Sequence, residues 1–322
     1  MRRTIVLLAT MALTVLVASG VALAVTKIGS AQAANKVVGP GESIQKAVNA
    51  ADPGDTIVVR GVHREDVVIR KNGIKLRGVG NAVIEAPTRA KADSPCSRTF
   101  GPEAICVFGD ANLRTGKVNR PIKNVSISGF TIRGFKQKPN KGFGTIMIDV
   151  LGARNANVEG NHVVGNLGAG IGITEGLNST ISNNDLTDNT DDGVFVAASR
   201  NTTLTDNTFI DNAIGMEVDG NVNTLIKGND VTGGFVSIQT EDSRGTKFLS
   251  NTLRRYDDLG ILVGGPNWPT RRSSATTSQE EISVSSSPTL TEVPSPQIRF
   301  TTTVRAWSLP LTCRTPSATT RW

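Results

Sequence analysis

The sequence predicts an all-β solenoid of short parallel strands wound into coils of about 22 residues, closed at its N-terminal end by a short helix. Three observations predict it. Between Asn155 and Leu253 one phrase recurs every 22 or 23 residues, as NVEGNHV, TISNNDL, TLTDNTF, LIKGNDV and KFLSNTL. Within it, Asn161, Asn184, Asn207, Asn229 and Asn251 fall in one column, and Asn155, Asn178, Asn201 and Asn223 fall in a second, six residues earlier. Two apolar columns accompany them, Val158, Ile181, Leu204, Ile226 and Phe248, then Val163, Leu186, Phe209, Val231 and Leu253.

The coil follows from chain geometry. A 22-residue repeat at about 3.3 Å per residue closes as about three short strands joined by tight bends. Each rung then bonds to the next at about 4.8 Å, and the inward columns stack into one core. Asn suits the bends because it tolerates the left-handed backbone region, and stacked amides can hydrogen-bond along the column.

In chain order, residues 1–34 read as an export signal. Arg2 and Arg3 precede an apolar run, with small-residue cleavage sites at Ala22-Leu23-Ala24 and Ala31-Gln32-Ala33. The run is close to the length of a membrane span, so an uncleaved anchor is the alternative to the expected cleavage. Residues 42–52 read as a capping helix with Ile44, Ala47, Val48 and Ala51 on one face and Pro53-Gly54 as its stop. Val- and Ile-rich runs follow at strand-like intervals. Residues 87–119 break the pattern as a polar loop excursion with one clear strand, Ile105–Phe108. The pattern resumes at Asn124, and the step from there to Asn155 leaves about one extra loop, KQKPNKGF or near it. The repeat domain thus spans 35–265.

After Gly265 the composition changes. Residues 270–322 hold 22 Ser plus Thr, five Pro, and neither Gly nor Asn. They read as a disordered tail, either a solvated linker or a frameshifted end that replaces the final rungs. The formal charge of +7 is concentrated in the leader and tail, which leaves the body near +1 and argues against a nucleic-acid surface. Cys96 and Cys106 share the excursion, and export to an oxidising space makes a local disulfide expected; Cys313 is the odd one.

The body from about 38 to 265, roughly 70% of the chain, resembles the right-handed parallel β-helix proteins of the pectin-lyase-like superfamily. The opening SIQKAVNAADPGDTIVV and the GN(x)4N-type turns carry the likeness. The resemblance implies a right-handed coil. Its members include polysaccharide lyases, glycoside hydrolases, uronan epimerases, carbohydrate-binding surface proteins and accessory proteins of copper enzymes, so fold alone does not choose a function. Asp191-Asp192 is similar to the paired aspartates of polygalacturonase-like hydrolases, but the histidine-containing and Arg-Ile-Lys motifs of that family are missing. The epimerase Asp-Pro-His-Asp motif is absent too, and His63 and His162 do not form a metal cluster.

Ligands on such a fold lie along an outward strand face. Strand alternation places Ile148/Val150, Ile171/Ile173, Val194/Val196, Met216/Val218, Ile238/Thr240 and Ile261/Val263 inward. The outward columns are then Asp149, Gly172, Phe195, Glu217, Gln239, Leu262 and Leu151, Thr174, Ala197, Asp219, Glu241, Gly264. Glu217 and Asp219 fall about 6.5 to 7 Å apart, with Glu241 one rung above Asp219 at about 4.8 Å. Carboxyls this close raise one another's pKa, as a general acid requires. These three are the candidate catalytic residues, against the plainer reading of a solvated acidic patch.

Arg154, Arg200 and Arg244 recur at every second rung, about 9 to 10 Å apart, and Arg200 and Arg244 are the candidates for orienting an anionic polysaccharide. Leu177 and Val222 occupy the rungs between. Phe195 is the candidate for stacking on a sugar ring, unless the 136–143 loop covers it. Asp188 and Asp211, with Asp191 and Asp192 near, are a weak candidate for Ca²⁺, against capping of the bends; no other cofactor or metal is expected.

Two functions remain. The first is an exported β-helix, secreted or held in the cell envelope, that binds or processes an extracellular polysaccharide, as a lyase or hydrolase if it is an enzyme. The second is a non-catalytic surface scaffold, which the low aromatic content and the missing hydrolase and lyase motifs favour over catalysis. Either is expected to be a monomer with no membrane span after signal cleavage.

Overall fold

The computed structural model describes residues 34–87, 96, 103–112, 115, 117–136 and 145–265, and the backbone of three strands beyond them, Trp268–Ser273, Glu280–Ser285 and Arg299–Val304. The leader, most of the excursion, residues 137–144 and most of the tail lie outside the described residues, and with them nearly all of the 136–143 segment expected near Phe195. The fold is a right-handed parallel β-solenoid of about nine coils at about 23-residue spacing. Three sheets run its length. Sheet 1 holds nine strands from Asn35–Val38 to Lys247–Leu249, and sheet 2 holds eight from Val62–Arg64 to Thr252–Arg254. Sheet 3 runs from Val67–Ile69 through Ile105–Phe108 and Ile146–Leu151 to Leu259–Gly265, where Trp268–Ser273 adds antiparallel. Ile105–Phe108 is therefore a rung strand of sheet 3 rather than part of a free loop.

Register follows the repeat. Val158 pairs with Ile181, Ile181 with Leu204, and Leu204 with Ile226, all fully buried. Val163, Leu186, Phe209 and Val231 stack likewise in sheet 2.

The two Asn columns divide the work expected of them. Asn161, Asn184, Asn207, Asn229 and Asn251 are buried, and each amide oxygen accepts from the backbone N–H of the residue one coil earlier. For Asn207 Oδ1 the donors are Asn184 N and Asn184 Nδ2, both at 3.0 Å. Its own Nδ2 donates to Ile181 O and to Asn229 Oδ1, again at 3.0 Å. Asn155, Asn178, Asn201 and Asn223 are exposed and have φ between 53° and 60°. They form a second amide ladder and supply the left-handed bends. Asn166, Asn189 and Asn212 make a third, buried ladder.

Helix α1 (Ile44–Ala50) covers the first coils, with Ile44 and Val48 buried. Ser43 caps its start, and Glu65 accepts from Ile44 N at 2.6 Å and Gln45 N at 3.1 Å. At the other end Lys71 Nζ donates to the carbonyls of Val48, Asn49 and Ala51. An anion at the N-terminus and a cation at the C-terminus match the helix dipole and fasten the cap to the coil beneath.

One irregularity shapes the outer face of sheet 3. Asp192 pairs with Ile214 and Val194 with Met216. A Cβ built on the intervening Gly193 would sit 2.5 Å from Phe209 Cδ1 and 2.7 Å from Gly215 O, so Gly193 faces the core. Val194 also faces inward. Two consecutive inward positions break the alternation and turn Asp192 outward.

Candidate functional site: a carboxyl chain on the outer face of sheet 3

The outward columns are in the expected register, with Phe195 against Glu217, Glu217 against Gln239, Ala197 against Asp219, and Asp219 against Glu241. They are not uniformly open. Asp149, Gly172, Leu151 and Thr174, at the N-terminal end of the face, are buried. Phe195, Glu217 and Asp219 are half-buried, and Glu241 is exposed. The accessible face therefore begins at the rung of Phe195.

Of the three carboxylates expected there, Glu217 and Asp219 are in direct hydrogen-bond contact, while Glu241 acts on Asp219 through its charge and its backbone N–H. A fourth acid joins them. Asp192, turned outward by Gly193 and only 4% exposed, hydrogen-bonds to Glu217. Strict alternation carried back from Val194 puts residue 192 inward, so the sequence pattern does not place Asp192 on this face. The recurring Gly170, Gly193 and Gly215, each one residue before an inward side chain, is the signal that could have found it.

The contacts are polar in one direction. Burial pushes Asp192 well above the usual carboxylate range, helped by the Glu217 and Asp191 charges, and Asp192 donates its proton to Glu217. Burial and the Asp219 charge push Glu217 up to about 7, and Glu217 in turn donates to Asp219. Asp219 is raised by burial, but the proton it accepts from Glu217 holds it back, so it ionises first. Glu217, at about 7, thus stands between Asp192, which burial drives well above the usual range, and Asp219, whose rise the Glu217 proton restrains. Burial also raises Asp191 beside it.

This graded chain has a stability consequence. The folded protein keeps on Glu217 a proton that the unfolded chain, with its ordinary value of 4.5, releases between about pH 4.5 and 7. The contribution is harmless below that window and is paid as pH rises through it. Asp66, raised by burial to about 6, titrates in the same range. The effect is therefore isolated by difference. The Tm of Glu217→Gln minus that of the native chain is expected to grow between about pH 4 and pH 8, and a flat difference would contradict the assignment.

The arginine edge is also in register. Isolated bridges link Arg154 to Leu177, Leu177 to Arg200, Arg200 to Val222 and Val222 to Arg244, at the turn that follows the sheet 3 strands. All three arginines are exposed. The charge of Arg200 partly offsets the burial that raises the Glu175 carboxyl. At the opposite end of the strands Phe235 is 57% exposed, an aromatic that the sequence pattern did not single out. The face thus has a half-buried ring below Glu217, an exposed ring at its entry edge and guanidinium groups at its exit edge.

Elsewhere, Asp188 and Asp211 occupy left-handed bends with φ of 54° and 51°. Among the described residues, the one cluster of three His, Cys, Asp or Glu ligand atoms within 4.8 Å of one another is Cys96, Glu103 and Cys106. Cys96 and Cys106 are joined in a disulfide. A cavity of about 420 Å³ beside sheet 2 is lined by Glu85, Arg133, Lys136 and Val164, but Arg133 is already paired with Glu85 at 2.8 Å. Among the described residues no helix is long and apolar enough to cross a membrane.

The family model described as "Right handed beta helix region" matches residues 54–253. The chain belongs to that family. Among solved structures this β-helix is similar to a polygalacturonase from Erwinia carotovora ssp. carotovora, at 16% identity and a TM-score of 0.52 over 72% of this chain and 75% of that one. It is also similar to a DFA-IIIase from Arthrobacter chlorophenolicus A6, at 13% identity and a TM-score of 0.50 over 71% and 69% of the two chains. At such identity the likeness is one of fold. No curated protein matches the sequence.

Proposed function

We propose that this β-helix is an exported protein that binds a polysaccharide along the open outer face of sheet 3 and hydrolyses a glycosidic bond there by carboxyl acid–base chemistry. The observation that carries the reading is the hydrogen-bonded chain Asp192–Glu217–Asp219, with Glu217 raised to about 7. A carboxyl with that pKa can hand a proton to the leaving-group oxygen at neutral pH and take it back in the next turnover. Asp219 touches Glu217 too closely to admit a water between them. Glu241 lies one rung up and two residues along from Glu217, a diagonal of about 8 Å. That backbone diagonal leaves room for the roughly 6.5–9.5 Å between carboxyl groups used by inverting glycosidases, where the second carboxylate activates a water on the far side of the ring.

In this arrangement Glu217 is the acid and Glu241 the base. Asp219 holds the Glu217 proton in place, and Asp192 sets the charge behind it. Phe195, one rung below Glu217, offers an apolar platform to a sugar ring, and Phe235 extends it. Arg200 and Arg244 give the face an edge suited to carboxylated or sulfated residues. The fold-level likeness to proteins named polygalacturonase and DFA-IIIase fits the reading. Export rests on the N-terminal leader of the sequence.

The test is a panel of acidic and neutral polysaccharides, assayed for new reducing ends and for binding at low salt. An acidic glycan is expected to bind, to be cleaved with inversion at the anomeric carbon, and to lose about tenfold or more in affinity in Arg200→Ala/Arg244→Ala. Binding to no member of the panel would sink the proposal, and binding without turnover would leave a scaffold as the function.

A further inference from the structure

A second group of chemistry-bearing side chains lies at the covered end of the same face. Val68, Cys106 and Asp149 are consecutive partners across three strands of sheet 3. Asp149 and Cys106 therefore project from the coil on one column, a rung apart. The excursion brings Cys96 onto Cys106 and places Glu103 beside them. Both sulfurs and a Glu103 carboxyl oxygen lie within 4.8 Å of one another, and all three residues are buried. Asp149 is 0% exposed, and neither of its carboxyl oxygens has a hydrogen-bond partner. Apolar Leu151, Val68 and Phe108 pack around the two cysteines.

A fully buried carboxyl with no donor is costly in a protein made only of its own atoms, and a cation is the ligand that would satisfy it. The neighbouring donors define which cation. Hard ions take oxygen alone, whereas two thiolates with carboxylate oxygens, in a site closed to solvent, suit a borderline-soft divalent metal in four-coordinate geometry, zinc above all.

The geometry points to a redox-gated metal site, in which the dithiol form of this protein binds one divalent transition metal through Cys96, Cys106 and Glu103, while Asp149, a rung away from Cys106 and outside that ligand group, is the buried carboxyl whose charge the cation offsets. The disulfide form has no thiolates to offer and does not bind it. Conversion between the two is thiol–disulfide exchange. The metal-bound dithiolate reacts with a low-molecular-weight disulfide and two protons. It gives the Cys96–Cys106 disulfide, the free divalent ion and two molecules of the reduced thiol. Each cysteine sulfur loses one electron to the sulfurs of the oxidant. The site is separate from the Asp192–Glu217–Asp219 chain, and its existence does not depend on the glycan reading.

The experiment uses the full chain carrying Cys313→Ser, so that the remaining thiols are the two in question. Protein reduced with a phosphine under anaerobic conditions is titrated with Co²⁺ and then with Zn²⁺. The reduced chain is expected to bind one Co²⁺, with a thiolate-to-cobalt charge-transfer band that Zn²⁺ abolishes, and the oxidised chain is expected to show none. Asp149→Asn and Glu103→Gln, which keep both thiols, are expected to weaken Co²⁺ affinity by roughly ten- to a hundredfold. Adding glutathione disulfide is expected to release the metal with two equivalents of reduced glutathione. Circular dichroism of each variant reports whether the coil is intact. Reduced and oxidised chains that bind Co²⁺ alike, or an intact-coil Asp149→Asn and Glu103→Gln pair with unchanged affinity, would overturn the proposal.

Discussion

Glu217→Gln is expected to lower turnover of a cleaved glycan by about 10²- to 10⁴-fold while leaving its binding nearly unchanged. The amide fills the same space between Asp192 and Asp219 and can still donate to Asp219, so the loss isolates proton transfer from positioning. In the native chain the limb of the pH–rate profile that reports the acid is expected near pH 7, because burial and the Asp219 charge raise Glu217 to about that value. Activity then falls as pH rises through it. Asp219→Asn is expected to move that limb to lower pH, since it removes the neighbouring negative charge and the acceptor that together hold the proton on Glu217. An Asp219→Asn profile unchanged in position would show that the two carboxyls do not act as a unit.

The largest effect on stability is expected from Asn207→Ala. Asn207 is 1% exposed and makes four hydrogen bonds through its amide, two accepted from Asn184 and two donated to Ile181 O and Asn229 Oδ1. Truncation strands polar groups of the coils on either side in a site closed to water, each costing about 1–3 kcal/mol when left unpaired. A loss of roughly 3–5 kcal/mol in urea unfolding is expected after partial relaxation. Asn201→Ala is the control. It also breaks an amide ladder, but Asn201 is exposed, water replaces its partners, and the main cost is about 1–2 kcal/mol for an alanine at φ 54°. Equal losses in the two variants would mean that burial of the inner ladder contributes nothing of its own.

The same contrast explains how much of the molecule could be read from its residues. The recurrence of Asn161 through Asn251 carries the register of every later coil, because a buried amide that must bond both up and down tolerates no slippage. Once the register is known, Glu217, Asp219 and Glu241 fall on one face by alternation alone. The Arg154–Arg200–Arg244 edge is legible for the same reason, with each residue in its column.

What was not legible depends on departures from period. Asp192 joins the site through the local break at Gly193, which a two-residue period cannot express. The burial of Asp149, Leu151 and Thr174 comes without any signal in the repeat itself. The excursion that carries Cys96 has no counterpart in the other coils, so nothing periodic announced which face it would meet. Phe235 stands in the bend before its strand, outside the alternating positions, so the pattern carries no signal for it.

On the proposed reading Glu217 is a proton donor tuned to neutral pH first by its burial and then by the Asp219 carboxyl beside it. The most direct measurement of that tuning is a carbon-13 NMR titration of the glutamate side-chain carboxyls, with Glu217 assigned by its absence in Glu217→Gln. A midpoint near 7 that falls in Asp219→Asn is the result expected here. A Glu217 carboxyl that titrates at its ordinary value of 4.5 in the native chain would contradict the account.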